Sequence, residues 1–136
     1  MRTMSPVDAP PKSTASSPIV LVIEKDVLIR MSVAAYLRDC GFKVIEATGV
    51  DEAMSILQTD AKIAVVFSDV GIAGGGFGLA QWVRRERPDT KIILTSGLKR
   101  SAQEAGKLCA EGPFHEEPYD HALLERRIRQ LIAGQS

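Results

Sequence analysis

The sequence predicts an α/β fold, a doubly wound parallel sheet of five strands with helices on both faces. Three observations carry that expectation. Strand-like stretches alternate five times with stretches whose apolar residues recur at helical spacing. The connections are only a few residues long, and short right-handed crossovers place helices on both faces of a parallel sheet. The strand-like runs also end in acids, hydroxyls or glycine, the pattern expected where ligand chemistry gathers outside the carboxyl edge of such a sheet.

Each element follows from its residues. Residues 1–17, with Pro6, Pro10 and Pro11 among Ser, Thr and Ala, are too poor in apolar side chains for a core and read as a flexible tail. The folded domain is expected over residues 18–133, with 134–136 as a short tail. Ile19–Ile23 is an aliphatic first strand. From Val27 to Cys40 the period changes, with Ile29, Val33, Leu37 and Cys40 on one helical face and Gly41 placed to end the helix. Lys43–Ala47 is the second strand. Thr48 and Asp51 have capping-box form and open a helix over Asp51–Gln58.

The central stretch begins at Ile63–Phe67, a continuous apolar run that suits a strand buried on both faces. Asp69 stands at its end, before a loop with glycine at 71, 74, 75, 76 and 78. Leu79, Trp82 and Val83 form the apolar stripe of a helix stopped by Pro88. Lys91–Leu94 is the fourth strand and runs into Thr95-Ser96-Gly97. Residues 101–109 read as a weak helix, because Ala102, Ala105 and Leu108 make a thin apolar face that Gly106 interrupts. Phe114–Glu116 reads as a short fifth strand. Asp120 then caps a last helix with Leu124, Ile128, Leu131 and Ile132 facing inward.

Bulk properties narrow the function. The 136-residue chain suits one domain, and 17 basic against 17 acidic residues give no global field toward nucleic acid or anionic lipid. No apolar run reaches the length of a membrane span. Cys40 and Cys109 lack CxxC spacing and read as two reduced thiols of a cytoplasmic protein. His115 and His121 show no ligand spacing with them. The glycine run after Asp69 lacks a following Gly-Lys-Ser/Thr, so a nucleotide loop is disfavoured.

The predicted topology brings Glu24, Lys25, Asp26, Asp69, Thr95, Ser96 and Glu117 to one edge of the sheet. Separate carboxylates, a lysine and hydroxyls converging there form a site-like set. At these residues the chain resembles the receiver domain of two-component response regulators, over roughly Ile19–Ile132. The matching pieces are Val20-Leu21-Val22-Ile23-Glu24, Phe67-Ser68-Asp69, Ile93-Leu94-Thr95-Ser96-Gly97, and Phe114 ahead of Glu117-Pro118-Tyr119. The resemblance implies a flavodoxin-like (βα)5 sheet with strand order 2-1-3-4-5. It implies Asp69 as phospho-acceptor, Thr95 and Phe114 as switch residues, and Mg²⁺ held by acids after the first strand, Asp69 and the Gly71 carbonyl. It also implies a cis bond at Glu117-Pro118.

Two positions depart from the family pattern. Lys25 stands where the family has a second metal-binding acid, and Glu117 stands where it has a lysine. Glu24, Lys25, Asp69 and Glu117 still comprise three acids and one lysine, so the charge is exchanged rather than lost. Either the Lys25 ammonium replaces the metal as counter-charge to Asp69, or Glu24, Asp69 and Glu117 hold Mg²⁺ with Lys25 on the phosphoryl group. Function divides accordingly. The expected protein is a stand-alone receiver in a phosphorelay, not an enzyme, partnered by a histidine kinase or phosphotransfer protein and a downstream signalling protein. Nucleic acid and membrane are not expected as partners, and a homodimer is open. The alternative is a phosphorylation-independent pseudo-receiver that acts through protein contacts.

Overall fold

The computed structural model describes residues 17–71, 75–112 and 121–134. Within them lie β1 (Ile19–Ile23), α1 (Val27–Asp39), β2 (Lys43–Ala47), α2 (Val50–Leu57), β3 (Ile63–Asp69), α3 (Gly76–Glu86), β4 (Lys91–Thr95), α4 (Gly97–Glu111) and α5 (His121–Ala133). The described strands form one parallel sheet in the order β2-β1-β3-β4. This is the predicted order as far as the described strands reach. The tail over residues 1–16, the fifth strand at Phe114–Glu116, the Asp120 cap and the Glu117-Pro118 bond all lie outside the described residues. No helix among the described residues is long and apolar enough to cross a membrane.

Local chemistry sets the boundaries. Asp26 caps α1 by accepting from the Leu28 and Ile29 amides. At the other end Gly41, at φ 101°, takes the left-handed turn that lets the Gly41 amide bond Arg38 O and the Phe42 amide bond Leu37 O. The α2 start differs in detail from the expected capping box. Glu52, not Asp51, reaches back, and its carboxylate accepts from both the amide and the hydroxyl of Thr48. Arg30 and Arg38 of α1 both pair with Glu46 of β2, and Arg38 also donates to the Val44 carbonyl.

Apolar residues on the two sides of the sheet make two cores. Leu21, Ile23, Val66 and their neighbours are covered by α2 and α3. Val20, Val22, Val65 and Phe67 are covered by α1, α4 and α5. A right-handed crossover extending the sheet past β4 would carry α4 on the α3 side; α4 lies instead with α1 and α5.

The packing of α4 corrects two expectations. Its apolar face, small in area, is nonetheless closely packed. Ala102, Ala105, Gly106, Leu108 and Cys109 are all buried, because small side chains let the helix approach closely. Gly106 is a contact rather than an interruption, since a Cβ there would stand 2.6 Å from the His121 Cβ. Cys40 and Cys109, expected as reduced thiols, are joined as a disulfide between the end of α1 and the last turns of α4, with Cα atoms 5.5 Å apart. Cross-linking residues 69 apart in sequence contributes roughly 4 kcal/mol to stability in the chain-entropy account.

The last helix also differs from its periodic reading. Leu124 and Ile128 are buried, but Leu131 and Ile132 are 44% and 39% exposed, because the stripe runs on past the surface it packs against. Leu131, Leu123 and Met31 border a groove of about 580 Å³ between α1 and α5.

Gly106→Val should lower stability by about 1–3 kcal/mol through overpacking against His121. Denaturant unfolding followed by circular dichroism measures this, and a loss below 0.5 kcal/mol would show that α4 and α5 separate without cost.

Candidate functional site

Parallel register assembles the site. Ile23 is paired with Ser68, and Asp69 with Thr95, so Glu24, Asp69 and Thr95 come together at the carboxyl edge of β1, β3 and β4. Gly76 makes this edge tight. A Cβ at Gly76 would lie 2.9 Å from Val70 Cα and 3.0 Å from Asp69 O, so glycine alone lets the start of α3 rest on the end of β3.

The carboxylates have different tasks. Glu24 is buried at 6% exposure and accepts from the Asp26 amide at 2.9 Å. Asp69 is half-buried, and its Oδ1 accepts from the Gly71 amide at 2.7 Å. Asp26 is committed to the α1 cap. Burial pushes the Glu24 carboxyl above its usual range; the Asp26 amide opposes this, while Asp69 adds to it through its charge and a side-chain hydrogen bond. Two acids thus share a poorly hydrated corner.

The predicted set is brought together only in part. Glu24, Asp69 and Thr95 meet as expected. Lys25 is exposed, and among the described residues it forms no ion pair with Asp69. The expected contact of Lys25 with Asp69 is therefore not made among the described residues. Glu117 and Phe114 lie outside the described residues, as does any pairing of Lys25 with Glu117.

Sequence reasoning missed Ser101. Thr95 is 2% exposed, and its Oγ1 lies 3.1 Å from the buried Ser101 Oγ and 3.5 Å from the Ser68 carbonyl. A serine five residues into a helix carries no sequence signal of such a role.

The residues present suit Mg²⁺ in a minimal form. Among the described residues no group of three or more His, Cys, Asp or Glu side chains is arranged to hold a metal ion. A hard cation that keeps several waters needs only one or two carboxylates, and the pair Glu24 and Asp69 would supply them.

The raised Glu24 group has a definite pH consequence. Its folded form keeps a proton to higher pH than the unfolded chain, so stability is fullest below the ordinary carboxyl value of 4.5 and falls as pH rises through the raised folded value. Glu24→Gln keeps the acceptor for the Asp26 amide and removes the charge. Metal-free unfolding from pH 4 to 8 should therefore show a smaller loss of stability in Glu24→Gln than in the unaltered protein, and parallel curves would refute it.

Comparison with known proteins agrees with this geometry. Residues 20–114 match the family model of the response regulator receiver domain. A probable transcriptional regulator, ycf27, of Cyanophora paradoxa is 28% identical over 114 residues, covering 83% of this chain and 47% of the relative. The chain spans about half the length of the curated relatives it matches, and the expectation of no nucleic-acid partner gains no support from a relative so named. The crystal structure of a response regulator from Thermotoga maritima superposes with a TM-score of 0.56 at 27% identity, covering 86% of this chain and 98% of the other. A response regulator protein, TrrA, crystallised in complex with histidine kinase ThkA, gives a TM-score of 0.54 at 24% identity, covering 60% and 70% of the two chains. With the family model spanning more than half of the sequence and the strand-end acids in register, this chain belongs to the response regulator receiver domain family.

Proposed function

We propose that this chain is a phospho-accepting receiver in a two-component phosphorelay, with Asp69 as the acceptor and an altered metal site. The observation that supports it best is the buried corner where Asp69 stands beside Glu24 and in register with Thr95. In the transfer, an Asp69 oxygen forms a bond to phosphorus as the bond from phosphorus to a donor histidine nitrogen breaks. Such a reaction needs positioning and charge neutralisation more than covalent help. Glu24 and Asp69, with the Gly71 carbonyl, would hold a Mg²⁺ ion, which supplies positive charge for the phosphoryl oxygens. Thr95 carries the hydroxyl that meets them. The donor is a histidine kinase or phosphotransfer protein, as the kinase complex of TrrA suggests by likeness. The product is read by a downstream signalling protein, and the reaction takes place in the cytoplasm.

A specific observation favours a second reading. The Thr95 hydroxyl is engaged by Ser101, and Lys25 occupies the position of a metal-binding acid. Both fit a pseudo-receiver that binds partners without being phosphorylated.

Incubation with acetyl phosphate and Mg²⁺, followed by intact mass, separates the two. The acceptor reading expects one added phosphoryl group that is absent in Asp69→Asn; no mass gain under any condition supports the pseudo-receiver. Lys25→Asp restores an acid beside Glu24 and should strengthen Mg²⁺ binding about tenfold or more, since a direct charged ligand replaces a repelling cation. Titration calorimetry reads this, and an unchanged affinity would place the cation away from residue 25.

A further inference from the structure

We propose that α4 is a latch on Thr95 whose position is set by the thiol state of Cys40 and Cys109; this rests on the acceptor reading of Asp69. Three observations on one helix support it. The first is the bond itself, which ties the last turns of α4 to the C-cap of α1. The second is the hinge. Just before the helical body, Gly97 takes φ 83°, with nothing within 4 Å of a Cβ built there. A left-handed residue with open space around it is a place where the chain can turn. The third is Ser101, one turn beyond that hinge, which holds the buried Thr95 oxygen at 3.1 Å.

These parts act in series. With the far end of α4 tethered to α1, Ser101 is fixed against Thr95, and the hydroxyl needed by a phosphoryl group on Asp69 is already occupied. Without the tether, α4 is held by Ala102, Ala105, Gly106 and Leu108, a face with little apolar area for a helix of 15 residues. It then yields Thr95 more readily. Both cysteines are buried, at 0% and 1% exposure, so exchange takes place when the last turn of α4 opens. In a reducing cytoplasm a disulfide is usually transient or redox-sensing rather than a permanent staple, which suits a bond placed on a moving part.

The chemistry balances with a small-molecule disulfide as oxidant. The thiolate of one cysteine attacks a sulfur of that disulfide and expels one small thiolate. The second cysteine thiolate attacks the mixed disulfide and expels the other. Two electrons pass from the cysteine pair to the oxidant, two small thiols form after protonation, and the reverse sequence with a small thiol restores both cysteines.

The test compares oxidised and reduced protein, with thiols counted by alkylation and mass. Reduction should release two thiols in the folded protein, raise hydrogen exchange over residues 97–112, and speed phosphoryl uptake from acetyl phosphate about fivefold, the factor carried by one net hydrogen bond. Cys109→Ala should behave as the reduced protein with or without reductant. Ser101→Ala should speed uptake in the oxidised protein, and Ser101→Thr, which keeps the hydroxyl, should restore the slow rate. Two released thiols with unchanged exchange in α4 and unchanged uptake would overturn the proposal. A bond that resists reductant in the folded protein would overturn it too. If no sample gains a phosphoryl group, the acceptor reading fails, and the exchange of α4 alone then supports or overturns the latch.

Discussion

Because β3 lies between β1 and β4 in parallel register, three strand ends stop at one level, and the chemistry of the molecule collects there. The register is enforced by burial on both faces: Val65 and Phe67 belong to one core, Val66 to the other. Each such side chain is worth roughly 1.5–3 kcal/mol when fully buried. A slip of one residue would turn Val66 toward α1 and Phe67 toward α3, exchanging side chains of different size between the two cores. The same slip would take Asp69 out of line with Thr95. Core packing and site geometry are therefore a single constraint.

The side of the sheet that bears α4 shows how that constraint is shared. Helices α1 and α5 bring large aliphatic residues, Leu37, Leu124 and Ile128, while α4 brings mostly alanine, glycine and cysteine. A small-residue face gains close approach and loses area. The covalent link to α1 and the tight seat of Gly106 on His121 offset that loss. The helix beside the Thr95 hydroxyl is thus held by geometry more than by hydrophobic surface.

Much of this was legible in the sequence. The central strands β1 and β3 are visible because apolar runs of five residues, Ile19–Ile23 and Ile63–Phe67, suit buried strands, and Glu24, Asp69 and Thr95 are visible because they stand at strand ends. What was not legible depends on contacts distant in the chain. Cys40 and Cys109 are 69 residues apart, and no local spacing announces their meeting. The small residues of α4 give a weak periodic signal even though they are fully buried. Leu131 and Ile132 show the converse, a correct helical period that outlasts the surface available to cover it. Lys25 illustrates a separate limit: its position relative to the family pattern identifies an exchanged charge, but a side chain at the mouth of a loop has bulk water as a competing partner, and sequence does not fix its contact.

The pairing of Arg38 with the Val44 carbonyl has a consequence beyond holding α1 to β2. The Lys43 amide bonds the Pro18 carbonyl, and the Ala47 carbonyl accepts from Glu24, so residues 43 and 47 direct their peptide groups toward β1. Alternation along a strand then turns the peptide groups of Val44 and Glu46 outward, to the margin of the sheet. Open margins of this kind recruit further strands and seed aggregates. With a guanidinium already on the Val44 carbonyl and charged Glu46 beside it, an incoming chain meets a donor that must be displaced before it can align. Arg38 therefore covers part of this margin, and replacing it by a neutral side chain would expose the Val44 carbonyl to self-association even where folding stability is kept.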